Sequence, residues 1–140
     1  LIGDKMSQKK VLIVDDSKLM RIIIKKILSS DDTFTVISEA GNGIEALAEI
    51  EKEVPDLIFL DIEMPEMDGV EALKEIRAKY STKVIVVSSV AQMGSSRAAE
   101  VNQLGADAII EKPGGAVDPT LATQKGKEFI EIARKVIGKD

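Results

Sequence analysis

With 140 residues, 44% hydrophobic and 31% charged, the sequence describes one domain of ordinary size with a core to bury, and it excludes a disordered or fibrous chain. A net charge of −5 argues against nucleic-acid binding, which wants a basic face. There is no histidine and no cysteine, which removes serine–histidine hydrolysis, phosphohistidine, disulfides and imidazole or thiolate metal sites.

No apolar run reaches transmembrane length and no signal-peptide pattern opens the sequence, so the expectation is a cytoplasmic protein with no membrane contact. Residues 1–5, LIGDK, precede Met6 and are set outside the domain, which is read as residues 6–140. VLIV (11–14) is the first predicted strand. Met20, Ile23, Ile24, Ile27 and Leu28 then recur at helical spacing and mark one helix face. FTVIS (34–38) is a second strand, closed by GNG, and a helix through Ile44, Leu47 and Ile50 stops before Pro55. LIFL (57–60) is a third strand, followed by a helix marked by Leu73, Ile76 and Tyr80. VIVVS (84–88) is a fourth, followed by the small-residue stretch SSVAQMGSS and a helix over 95–104 ending at Gly105. AII (108–110) is a fifth strand, GGAVDPTLATQ (114–124) a loose stretch, and Phe129, Ile132, Ala133, Val136 and Ile137 give the last helix its apolar face.

Strands that are continuously apolar and alternate with helices predict an α/β fold, a parallel sheet covered on both faces. In such sheets the binding crevice lies beyond the carboxyl ends of the strands. Strand one ends in Asp15 and Asp16, strand three in Asp61, strand four in Ser88 and Ser89, and strand five in Glu111, Lys112 and Pro113. Three carboxylates within a few ångströms repel unless a cation sits among them. Oxygen ligands without His or Cys suit Mg²⁺, which shares its ligands readily with phosphate. Lys112 adds a point charge for phosphoryl oxygens, and Ser88 with the turn amides near Glu63 and Ser89 adds donors. Asp61 is then the nucleophile of an in-line phosphoryl transfer. In MPEMDG after Asp61, Pro65 fixes φ and Gly69 can take φ > 0, shaping the turn and doing no chemistry.

VLIVDDS, DLIFLDIEMPEMDG, VIVVSS and AIIEKP, in this order and spacing, resemble the receiver domain of response regulators in two-component signalling, over residues 10 to about 137. The resemblance implies a five-stranded parallel sheet of order 2-1-3-4-5, the flavodoxin-like doubly wound arrangement. It implies Asp61 as phospho-acceptor, charged by a sensor histidine kinase, with Mg²⁺ held by Asp16, Asp61 and the backbone carbonyl of Glu63, and Asp15 acting through water. Lys112 would contact the phosphoryl group, and Ser88 would be the hydroxyl that moves to it. Output would pass through the face of the fourth helix, fifth strand and fifth helix to a downstream partner or effector domain.

SS after strand four and KPGG after strand five look like chemotaxis receivers, either of the methylesterase group or of archaeal single-domain regulators. Ile109 stands where many of these receivers carry Tyr or Phe, so an aromatic rotamer flip is not the expected output device. The sequence ends at KVIGKD just past the last helix and holds no histidine, so the expectation is a partner-binding switch. It would promote its own phosphorylation and dephosphorylation and would not be an esterase. One alternative is the receiver of a longer chemotaxis methylesterase. A more distant one is a haloacid-dehalogenase-type phosphohydrolase, whose nucleophile, however, follows its first strand. A flavodoxin is disfavoured by acids where a flavin phosphate would sit.

Overall fold

The computed structural model describes residues 8–89, 94–112 and 119–138, with residues 119–124 described by backbone alone. Strands and helices alternate as β1 (Lys9–Val14), α1 (Lys18–Leu28), β2 (Phe34–Ala40), α2 (Gly43–Lys52), β3 (Leu57–Asp61), α3 (Gly69–Lys79), β4 (Lys83–Ser88), α4 (Ser96–Gln103), β5 (Ala108–Glu111) and α5 (Pro119–Val136). Every strand pair is parallel, and the sheet runs β2-β1-β3-β4-β5. The architecture is the one expected.

Strand parity sorts the core into two layers. Leu12, Val14, Ile58, Leu60, Val84 and Val86 face α2, α3 and α4, while Val11, Ile13, Leu57, Phe59, Ile85 and Val87 face α1 and α5. Both sets are buried, which is why these strands read as unbroken apolar runs. Each such side chain contributes about 2 kcal/mol by leaving water. On the α5 side Phe59 and Phe129 stack with ring centroids 4.8 Å apart.

Short polar side chains start the helices. Ser17, Asn42, Asp68 and Ser95 each accept a backbone N–H three residues on, satisfying one of the amides a helix start leaves open. At the end of α4, Gly105 takes φ +98°, its N–H bonds to Asn102 O, and the Ala106 N–H bonds to Val101 O. That is a Schellman termination, and glycine supplies the left-handed residue it requires. Arg77 of α3 then donates to Gly105 O and Thr82 O and pairs with Asp107, tying α3 and α4 to the starts of β4 and β5.

Ile44 lies in α2 as expected but is 53% exposed, because α2 turns Gly43, Ala46 and Ile50 inward instead. Two local expectations fail. Tyr80 lies outside α3 as its extended C-cap, with its N–H still on Ile76 O. Residues 119–124 are helical, since Pro119 at the first helical position has the φ a helix needs and no N–H to leave unsatisfied. Gly69 does not carry the positive φ; Glu66 does, at 68°.

Gly69 is required for a different reason. Its N–H bonds to Ile62 O at 2.7 Å, and a Cβ there would lie 2.2 Å from Asp61 O and 2.7 Å from Ile62 Cα. The start of α3 thus rests on the backbone that carries Asp61. Gly126 of α5 is the opposite case, where a Cβ would make only an ordinary 3.8 Å contact with Ile27. Gly69→Ala is expected to destabilise the fold by about 2 kcal/mol or more through overpacking against backbone. Gly126→Ala is expected to stabilise it by about 0.5–1 kcal/mol through helix propensity. Urea unfolding of the two variants checks the pair, and shifts of the same sign would contradict this packing.

Candidate functional site

The acids gather because β1 and β3, neighbours in the sheet, end side by side. Asp15 follows β1 directly, and its N–H continues the ladder to Ala40 O at 3.0 Å. Its carboxylate Oδ1 accepts the Ser17 N–H at 2.8 Å, and Ser17 caps α1, so one short turn fixes both acid and helix start. Arg21, one turn into α1, donates to Asp15 O at 2.6 Å and pairs with Glu39 at 3.1 Å. β3 extends one residue beyond its apolar run, so Asp61 is a strand residue in register with Val87. Lys112 follows β5, and its N–H bonds to Ser88 O at 2.8 Å.

The expected residues come together. Carboxylate oxygens of Asp15, Asp16 and Asp61 lie within 4.8 Å of one another. Lys112 Nζ stands 3.4 Å from Asp15 Oδ2 and 3.2 Å from Asp61 Oδ1. Asp15 is 1% exposed and Asp61 4%, whereas Asp16 projects into solvent. Ser88 is buried at the end of β4, with its hydroxyl donating to Ser89 O at a long 3.3 Å.

Asp16 also lines a hollow of about 390 Å³ beside the cluster, together with Glu63, Met64, Pro65, Asp68 and Arg97. Glu111 does not join the cluster, because its carboxylate turns to Lys125 at 2.7 Å. Ile109 packs half-buried on the side of α3 and α4, in register with Val86. Pro113 lies outside the described residues.

Electrostatics follow from burial and proximity. Burial, then the Asp15 charge, pushes the Asp61 carboxyl up to about 6, against the pull of Lys112. Burial also raises Asp15, against the Ser17 N–H and the Lys112 charge. Burial disfavours the Lys112 ammonium, but the charges of Asp61 and Asp15 outweigh it and raise its pKa.

One ammonium does not satisfy three carboxylates. Asp15 Oδ2 and Asp61 Oδ2 are buried with no hydrogen-bond partner among the described residues. Open lone pairs on an all-oxygen donor set fit a hard divalent cation such as Mg²⁺.

Two arginines escaped the sequence reading. Arg21 sits within a helix pattern that gives no hint of its bond back to Asp15. Arg97 reaches from α4 across to Asp68, the N-cap of α3. Each pairing spans a turn or a long sequence interval, which residue spacing alone does not encode.

Residues 11–131 match the family model described as the response regulator receiver domain. The chain belongs to the response regulator receiver family. A protein-glutamate methylesterase/protein-glutamine glutaminase of Syntrophomonas wolfei is 43% identical over 80% of this receiver and 32% of its own length. The crystal structure of the response regulator domain of Thermotoga maritima CheB superposes with a TM-score of 0.82 at 38% identity, covering 95% of this chain and 98% of that one. A chain in the crystal structure of the P1 domain of CheA3 in complex with CheY6 from R. sphaeroides gives a TM-score of 0.78 at 39% identity, covering 94% and 98%. The receiver spans about a third of the length of the methylesterases it matches. Family membership displaces the haloacid-dehalogenase-type reading. No described helix is long and apolar enough to cross a membrane.

The raised Asp61 pKa has a stability consequence in the absence of divalent cations. The folded state holds this proton more tightly than the unfolded chain, whose aspartates titrate near 3.9. The contribution is therefore fully present below about pH 4 and is lost as pH rises through about 6. Asp61→Asn removes the ionisable group. Its advantage over the native chain should be absent near pH 4 and grow to about 1–2 kcal/mol above pH 6, discounted for the open rim. Thermal melts in chelator from pH 4 to 7 read this directly, and a constant difference across that range would mean that Asp61 titrates normally.

Proposed function

We propose that Asp61 is the phospho-acceptor of this receiver, charged by a sensor histidine kinase in a Mg²⁺-dependent reaction, and that phosphorylation switches partner binding in chemotaxis signalling. The carrying observation is the Asp61 carboxylate itself. It is buried, with one oxygen on Lys112 and the other without a hydrogen-bond partner among the described residues, beside two further acids.

A group with a pKa of about 6 is ionised at pH 7 and keeps the basicity of a competent nucleophile. Lys112 supplies positive charge for the transferred group from within the site. Asp16, Asp61 and the Glu63 carbonyl would hold the metal, with Asp15 acting through water; when bound, Mg²⁺ would offset the charge of the acids and of the phosphoryl oxygens. Ser88 is suited to the switch because, among the described residues, its hydroxyl makes a long bond to Ser89 O, which a phosphoryl oxygen would outcompete.

The partner surface is read as the face of α4, β5 and α5. Supporting it, a groove of about 270 Å³ runs between β5 and α5, lined by Ile109, Ile110, Lys125, Phe129 and Ile132 among others.

The methylesterase relatives favour a second reading, in which this domain, taken as residues 6–140, is the receiver of a longer chemotaxis methylesterase. Under either reading the domain hydrolyses no ester itself, because a serine nucleophile has no histidine to activate it.

With Mg²⁺ and acetyl phosphate, the chain is expected to gain one acid-stable, base-labile phosphoryl group by intact mass, and Asp61→Asn none. The same label on another residue of that variant refutes the assignment. Ser88→Ala should still be labelled, but hydrogen exchange in α4 should respond less to a beryllofluoride mimic. An unchanged response there removes Ser88 from the switch.

A further inference from the structure

We propose that Arg97 selects the phosphodonor: with the hollow lined by Asp16, Glu63, Met64 and Pro65, its guanidinium forms a subsite for the carboxylate that leaves an acyl phosphate. This rests on Asp61 being the acceptor.

The hollow adjoins the acid cluster, since Asp16 belongs to both. Among the described residues of its lining, the carboxylates of Asp16, Glu63 and Asp68 stand against one cation, Arg97. Lys112 is not in that lining; its ammonium stands inward, between Asp15 and Asp61. Arg97 is anchored, because its Nη2 donates to Asp68 Oδ2 while Asp68 Oδ1 accepts the Glu71 N–H at the start of α3. Its side chain is 43% exposed, so part of the guanidinium is open to the hollow and solvent beyond the Asp68 pair, while its Nε is buried with no hydrogen-bond partner among the described residues.

The two small donors differ in what departs. From acetyl phosphate, an Asp61 oxygen attacks phosphorus, the bond from phosphorus to the bridging oxygen breaks, and its electron pair leaves on acetate. From phosphoramidate, whose nitrogen is already protonated, the phosphorus–nitrogen bond breaks and neutral ammonia leaves. Negative charge therefore develops on the leaving group in the first reaction and not in the second. An acid-lined hollow penalises the first, and Arg97 offsets that penalty.

The readout is the ratio of second-order labelling constants for acetyl phosphate and phosphoramidate at fixed Mg²⁺ and ionic strength. Arg97→Gln should lower the ratio about three- to tenfold, the size expected for one charge several ångströms away at a wet rim. Arg97→Lys, which keeps the charge, should lie between that variant and wild type. Asp68→Asn keeps a capping oxygen but removes the competing negative charge, so it should raise the ratio; this arm decides the matter if Arg97→Gln does not fold. A ratio unchanged in all variants, or moved in the same direction by Arg97→Gln and Asp68→Asn, overturns the inference and leaves Asp61 as acceptor. A wild-type chain labelled by neither donor overturns both.

Discussion

Two buried carboxylates sharing one ammonium set the terms for this molecule. Moving an ion out of water costs several kcal/mol, and Lys112 offsets that cost for Asp15 and Asp61 only in part. The remainder appears as a raised carboxyl pKa and as oxygens without partners. Such an arrangement persists only where rigid backbone holds it. Here it is held at the ends of β1, β3 and β5, strands whose apolar residues are buried largely on both faces of the sheet. The hydrophobic core is thus the source of the site's unmet negative charge, an all-oxygen donor set of the kind that suits a hard cation.

The loops serve the same end. Gly69 lets α3 close onto the backbone of Asp61 and Ile62, and the Gly43 N–H donates to Met67 O at 2.9 Å. The segment between Asp61 and α3 is therefore pinned from both flanks. Within it, Glu66 accepts a positive φ, which a non-glycine residue holds at some cost. Asp68 ends the turn by capping α3 and pairing with Arg97. The acid cluster sits on a frame in which one added methyl group would collide with main chain.

Most of the fold was legible because burial on both faces writes itself into sequence as unbroken runs such as LIFL and VIVV. The acids were legible for a related reason: a charged residue straight after such a run has one place to be, the rim. What failed was finer. Ile44 marked its helix but not the buried face, because helix phase is set by which positions the sheet and α3 can accept, and small Gly43 and Ala46 fit there. Gly69 was read for its torsional freedom, whereas the constraint the structure shows is contact with the backbone of Asp61 and Ile62. Glu111 was counted on the rim with its neighbours, yet a nearby lysine on α5 draws it away. Arg21 and Arg97 were invisible because a cation's partner across the fold leaves no trace in spacing.

Strand parity also settles which side of the sheet any rearrangement at the site must disturb. Asp61 shares its parity with Leu57 and Phe59, toward α1 and α5, whereas Ser88 shares its parity with Val84 and Val86, toward α3 and α4. Ile109 is paired with Val86 and packs on that same side. Ser88 and Ile109 thus lie on the side of α3 and α4, and the stacked Phe59–Phe129 pair on the other. Isoleucine at 109 cannot swing a ring in or out; its branched side chain has few χ1 states, so it moves with its strand. The groove between β5 and α5 draws its lining from both layers, Ile109 from one and Ile110 and Phe129 from the other.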